Sequence, residues 1–283
     1  MIGTGVNGSL MYSWAKPATS KLPVKTSMAS IASAAVLVSR FPNDPARAVK
    51  LISSHSGGLA WKIMRPRPSR VPTPRAAWLF LVAFVVIAGA TYVAGEILLA
   101  AFPNGVSGVD REGMEFALDL RSSSLTRVAM ALTSAGDSEV VLLVLGTALA
   151  AAAITRSRPW AGFFSLAIVG AFGIHSLVKP LLGRARPDLA PLVDIGGYSF
   201  PSGHANAGAV LYGALFVVAI ARWGRGGAAI PGAICILIGI GVGLSRVYLG
   251  VHWPTDIVAG TVAGATWVYV ATRLSGVLSD GMG

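Results

Sequence analysis

The chain has 283 residues, of which 54% are hydrophobic and only 12% charged, and its mean hydropathy is +0.67. Soluble domains carry roughly 25% charged residues, so this composition excludes an ordinary soluble globular protein and points to one membrane domain. The formal charge of +11 does not indicate a nucleic-acid partner, because residues 1 to 75 hold eleven Lys and Arg against the single acid Asp44, whereas the remainder holds twelve basic and eleven acidic residues. Positive charge beside a membrane segment marks the cytosolic face, and no recognition motif accompanies it. Cys235 is the only cysteine, so one chain can form neither a disulfide framework nor a thiolate metal cluster.

In chain order, residues 1 to 75 form a basic tail rich in Ser and Pro. The stretch MRPRPSRVPTPR (64 to 75) cannot stay helical, since each proline removes a donor and fixes φ. The tail is expected to be disordered, apart from a short amphipathic segment near IASAAVLVSRF. Its serines and lack of acids also resemble an organelle transit peptide, and Met64 offers a later initiator. Residues 76 to 276 are expected to form a domain of six membrane helices in a bundle, and 277 to 283 a short C-terminal tail.

A membrane span needs about 20 mostly apolar residues. Six segments come close, at roughly 77 to 101, 138 to 155, 160 to 180, 204 to 222, 228 to 245 and 255 to 274. The long connection, 102 to 137, carries five acids and three arginines and contains LTRVAMALTSAG, whose spacing predicts a helix at the membrane interface. With the tail cytosolic, Arg156, Arg158, Arg222, Arg225 and Arg273 also fall on the cytosolic side. The loops at 180 to 203 and 246 to 254 then lie outside.

Those two loops carry three unusual stretches: KPLLGRARP (179 to 187), PSGH (201 to 204) and SRVYLGVHWPTD (245 to 256). They place Lys179, Arg186, Arg246, His204, His252 and Asp256 at one membrane face, where ionisable groups near hydrocarbon mark a site. Two arginines and a lysine without matching carboxylates form an anion cradle suited to phosphate oxygens. In PSGH, Pro201 fixes the entry, Gly203 allows close backbone approach, and the following helix presents free N–H groups to an anion. Ser202 can donate to a phosphate or cap that helix. If 252 to 256 begins a helix, His252 and Asp256 share a face. The carboxylate would then fix the tautomer of the ring and leave its other nitrogen nucleophilic.

The same stretches resemble the signature of the type 2 phosphatidic acid phosphatase superfamily, which includes vanadium haloperoxidases. The family pattern is Lys, six residues, Arg-Pro; Pro-Ser-Gly-His; and Ser-Arg, five residues, His, three residues, Asp. Lys179, Arg186 and Pro187 match the first part, residues 201 to 204 the second, and Ser245, Arg246, His252 and Asp256 the third. The resemblance implies that His252 attacks phosphorus to form a phosphohistidine, oriented by Asp256, and that His204 protonates the leaving oxygen and then activates water. It assigns the phosphoryl oxygens to Lys179, Arg186, Ser202, Gly203 and Arg246, and implies no metal and no cofactor.

These features predict an integral-membrane phosphatase with its site at the outer interface, acting on a polyprenyl diphosphate, phosphatidic acid or phosphatidylglycerol phosphate. The Ala/Gly/Arg bias and short loops suggest a bacterial inner membrane. Phosphate transfer to an acceptor lipid, and a non-catalytic binder or transporter of lipid phosphates, are the alternatives; vanadate-dependent halide oxidation fits the membrane spans poorly. Partners are the phosphorylated lipid and membrane lipids, and the sequence is silent on oligomeric state. Elsewhere, His175 reads as a core histidine, Asp188, Asp194 and Tyr198 as loop, and Glu96, Asp137 and Glu139 as helix caps or anchors. The positive residues at 179, 184 and 186 would, if alone, pass for interfacial anchors.

Overall fold

The structure, a computed structural model, describes residues 74–102 and 105–278. The expectations for the rest of the tail and for the last residues lie outside these. The regular elements are α1 (Pro74–Ala101), α2 (Gly108–Asp119), α3 (Ser123–Ser134), α4 (Ser138–Ile154), α5 (Arg158–Leu182), α6 (Gly203–Gly227), α7 (Ala229–Tyr248) and α8 (Pro254–Ser275). Among the described residues there is no strand, so the all-helical membrane fold expected from the sequence is the one found.

Helices α1 and α5 to α8 are each long and apolar enough to cross a membrane. Helix α4 has 17 residues, about 26 Å at 1.5 Å per residue, which falls short of a hydrocarbon core of about 30 Å. Taken together with α3, from which it is bent by 41° across a short break, it passes the same test of length and composition, as a broken span or a re-entrant loop. Gly136 stands in that break, and a Cβ there would strike the Val242 side chain of α7. Helix α6 is interrupted at Gly224, whose φ of 69° and ψ of 174° are not helical.

The acidic connection contains α2 as well as α3, the helix expected around LTRVAMALTSAG. Ser107 and Asp110 cap α2 reciprocally: Asp110 N donates to Ser107 Oγ (3.1 Å), and Ser107 N donates to Asp110 Oδ2 (3.2 Å). The motif is visible in the sequence as Ser-Gly-Val-Asp.

Helix α6 is central and packs against α4, α5, α7 and α8, while α1 lies on α5 and α8, and α2 on α7 and α8. Close approach of α8 to α6 requires Gly260 and Gly264. A Cβ at either would lie 2.5 Å from a backbone oxygen of α6 or its cap, Ser202 O and Asn206 O respectively. The core between α5, α6 and α8 contains Phe163, Ile174, Leu211 and Trp267, all buried. Two polar ties cross it: Asn206 Nδ2 donates to Gly170 O (2.9 Å) and Ala171 O (3.0 Å), and Trp267 Nε1 to Leu166 O (2.7 Å). The apolar side chains of α1, including Val85, Val86 and Ile97, face outward, as expected where lipid replaces protein as the packing partner.

Because the spans alternate in direction, the C-terminal ends of α5 and α7 meet the N-terminal ends of α6 and α8 at one end of the bundle. All three sequence motifs lie there. Arg156, Arg158, Arg222, Arg225 and Arg273 belong to the opposite helix ends.

Candidate active site

Helix α5 stops at Gly183, whose φ of 69° provides a left-handed cap, with its N–H donating to Lys179 O. The chain then leaves the helix so that successive arginines point to different places. Arg186 turns toward the cavity: Nη1 donates to Val251 O (2.7 Å) and lies 3.0 Å from His252 Nε2, and Nε donates to Gly197 O (3.1 Å). Lys179 Nζ, from the last turn of α5, donates to Tyr198 O (2.8 Å).

The PSGH turn enters α6 through the cis Phe200–Pro201 bond. Of the two uses expected for Ser202, the structure shows the cap, with Ala205 N donating to Ser202 Oγ (3.4 Å). Ser202 N donates to Asp256 O (3.1 Å), which ties this turn to the start of α8. Gly203 leaves room for the His175 ring, 3.1 Å from where a Cβ would sit. His175 thus lines the cavity instead of belonging wholly to the core, and its Nδ1 has no hydrogen-bond partner.

His252 differs from the expectation that it opens a helix. Helix α8 begins at Pro254, and His252 precedes its N-cap, Trp253. The pair forms because Asp256, in the first turn, folds back over the helix start: its Oδ2 accepts from Trp253 N (2.9 Å) and from His252 Nδ1 (3.2 Å). A carboxylate can only accept, so Nδ1 carries the proton, and the unprotonated Nε2 accepts from Arg186 Nη1. Burial drives the His252 imidazole down to about 3, outweighing the upward pull of the Asp256 hydrogen bond and charge. The ring is therefore neutral at physiological pH, which is the form the expected nucleophilic role requires.

The remaining partners of Asp256 were not singled out as site residues from the sequence. Ser199 Oγ donates to its Oδ2 and Arg184 Nη1 to its Oδ1. Arg184 is 2% exposed, so it is no interfacial anchor. It also donates to Thr255 Oγ1 (2.8 Å), Gly105 O (2.5 Å) and Asp110 Oδ2 (2.8 Å). Asp110 Oδ1 in turn accepts from Thr255 N (2.9 Å). A buried hydrogen-bonded chain thus runs from the neutral His252 through Asp256 and Arg184 to Asp110 on α2. The Ser-Gly-Val-Asp cap was the available sequence signal for Asp110, but nothing in the sequence pairs it with Arg184, 74 residues later.

Lys179, Arg186, Arg246, Gly203, His204 and His252 line a single cavity of about 400 Å³. Arg246 is 3% exposed; its Nη1 donates to Thr133 Oγ1 (2.6 Å), and its Nε has no partner. Among the described residues, no carboxylate pairs with Lys179, Arg186 or Arg246. Three converging cations with free donors are expensive to desolvate alone and are complementary to an anion with several oxygens. His204, on the first turn of α6, also lines this cavity, with Nε2 3.0 Å from Asp137 Oδ1. Among the described residues there is no cluster of three or more His, Cys, Asp or Glu arranged for a metal.

Comparison with known proteins agrees with this arrangement. A family model described as the PAP2 superfamily matches residues 142–279, which include all three motifs. Phosphatidylglycerophosphatase B of Bacillus subtilis is 34% identical over 176 residues, covering 59% of this chain and 84% of the relative. A putative undecaprenyl-diphosphatase of Escherichia coli is 30% identical, covering 48% and 68%, and decaprenylphosphoryl-5-phosphoribose phosphatase of Mycobacterium tuberculosis is 33% identical, covering 56% and 78%. The crystal structure of a transmembrane PAP2-type phosphatidylglycerolphosphate phosphatase from Bacillus subtilis superimposes with a TM-score of 0.57 at 25% identity, covering 72% of this chain and 96% of that one. By its sequence relatives, its helical membrane architecture and the three motifs gathered at one end of the bundle, the chain belongs to the PAP2 superfamily.

Proposed function

We propose that this protein is an integral-membrane lipid phosphatase that removes phosphate from a lipid phosphomonoester or diphosphate through a phosphohistidine on His252. The observation that carries the reading is the placement of Lys179, Arg186 and Arg246, without carboxylate partners, around the cavity that the unprotonated Nε2 of His252 also lines. These cations and the Gly203 end of α6 hold the phosphoryl oxygens as charge develops, and His252 Nε2 attacks phosphorus. His204 supplies a proton to the leaving oxygen and later takes one from water. Preorganised donors contribute about 10² to 10³-fold each and acid/base catalysis about 10² to 10⁴-fold, so the residues present account for a substantial acceleration. The cationic side chains fill the role that a divalent metal plays in other phosphoryl-transfer sites.

The substrates named for the relatives, phosphatidylglycerol phosphate and undecaprenyl diphosphate, share a phosphate at a membrane surface and differ in the group beyond it. We place this site on the outer face of a bacterial cytoplasmic membrane, with Arg156, Arg158, Arg222, Arg225 and Arg273 inside, by the positive-inside tendency. The test is phosphate release by the purified protein in detergent with EDTA, from phosphatidylglycerol phosphate, phosphatidic acid and a polyprenyl diphosphate in parallel. Release that survives EDTA and is lost in His252→Ala is the expected result. A His252→Ala enzyme with full activity would overturn the mechanism.

A further inference from the structure

Asp137 precedes α4 in the position where an aspartate ordinarily caps a helix, and its backbone has cap geometry (φ −63°, ψ 147°). Yet its side chain makes no capping hydrogen bond. The carboxylate instead reaches another helix, 67 residues away in sequence, and meets His204 Nε2 at 3.0 Å. We propose that Asp137 is a positioning residue for His204, holding its Nε2–H so that the catalytic proton passes through Nδ1. This rests on the acid/base role given to His204 above.

The two carboxylates of the site grip opposite ring nitrogens. Asp256 holds Nδ1 of His252 and leaves Nε2 for phosphorus, whereas Asp137 holds Nε2 of His204 and leaves Nδ1. In the first half-reaction, His252 Nε2 bonds to phosphorus while the bond from phosphorus to the lipid oxygen breaks. The His204 imidazolium gives its Nδ1 proton to that oxygen and becomes neutral. In the second, a water proton moves to His204 Nδ1 as the water oxygen bonds to phosphorus and the phosphorus–nitrogen bond breaks. The products are inorganic phosphate, free His252 and the His204 imidazolium. Asp137 transfers no proton in either step: burial and the Arg246 charge disfavour the His204 imidazolium, and the Asp137 hydrogen bond and charge oppose them in favour of the imidazolium, while the fixed acceptor keeps Nδ1 turned to the reacting oxygen.

Asp137→Asn tests this without disturbing the fold, since Asn is an equally good helix N-cap. Its neutral amide cannot stabilise the imidazolium needed to protonate the leaving oxygen, and by donating to Nε2 it favours the neutral tautomer whose Nδ1 is already protonated and cannot take a proton from water. The rates to compare are those on a long-chain alkyl phosphate, whose alkoxide must be protonated as it leaves, and on nitrophenyl phosphate, whose phenolate departs without a proton. We expect kcat for the alkyl ester to fall about 10²-fold with little change in KM, and the loss on the nitrophenyl ester to be about tenfold smaller. Asp137→Glu should recover part of the alkyl-ester rate, and in a His204→Ala background Asp137→Asn should cause no further loss. Equal losses on both esters, a rise confined to KM, or an additive loss in the His204→Ala background would overturn the proposal. Wild-type protein that released phosphate from neither ester would overturn the phosphatase reading itself, and the proposal with it.

Discussion

Two histidine–carboxylate pairs face one cavity, and they are built differently. The side chains of His252 and Asp256 are 2% and 0% exposed, and Asp256 accepts from His252, Trp253, Ser199 and Arg184 at once. His204 and Asp137 are 24% and 42% exposed and joined by one hydrogen bond. The difference fits the two tasks proposed for these rings. A nucleophile must meet phosphorus along one line, so its ring is held by a network reaching to α2; misplacement by an ångström is costly in rate. A proton carrier must exchange with the leaving group and then with water, so its ring stands at the open wall with one guide.

Several perturbations would break or sharpen that contrast. The largest effect is expected at the nucleophile: His252→Ala should lower turnover by about 10⁴-fold or more, measured as phosphate release. Next is the buried network. Arg184→Met leaves Asp110 and Asp256 without their shared counter-charge, and should destabilise the detergent-solubilised protein by about 3–5 kcal/mol, read as a drop in melting temperature. Arg246→Met is the contrasting case. Removing a buried cation with no carboxylate partner should leave the melting temperature of the empty protein undiminished, while abolishing the stabilisation that added phosphate or vanadate gives the wild type.

A smaller effect tests the packing that brings the pairs together. Gly260→Ala places a Cβ 2.5 Å from Ser202 O, so α8 must move from α6 at a cost of about 1–3 kcal/mol. The expected signature is a lowered melting temperature together with slower phosphoenzyme formation.

The last perturbation concerns acid stability, and its effect is confined to acid pH. His252 is depressed to about 3 in the folded protein, so between its unfolded value near 6.5 and that limit the unfolded chain binds the extra proton. Its contribution to stability is therefore present above about pH 6.5 and is lost as pH falls toward the folded value. A His252→Gln variant should show a flatter decline of melting temperature over that acid range.

Much of this was legible from the sequence because apolar blocks and motif spacing report local structure. The apolar segment expected at 255 to 274 is found as Pro254–Ser275, and that at 138 to 155 as the helix Ser138–Ile154, which is too short to cross by itself. Helix α2 escaped because its residues, GVDREGMEFALD, are half polar, and a short amphipathic helix in an acidic connection has no bilayer-length signal. Arg184 and Asp110 escaped for a different reason: each looks like an ordinary surface charge until the fold buries both. Asp137 shows how a correct local rule can miss a role. An aspartate before a helix reads as a cap, and only the placement of α6 beside α4 shows its carboxylate turned to His204. His252 reached Asp256 by a route other than a shared helical face, through a first-turn carboxylate folded back over the start of α8.

The most direct test of the central claim is rapid acid-free quenching of the purified protein with a lipid phosphate labelled at phosphorus, in EDTA, followed by mapping of the label. The account predicts an acid-labile phosphoryl group on His252 that forms before phosphate is released and is absent from His252→Ala. Full-rate release of labelled phosphate with no label on His252 at any quench time would contradict it.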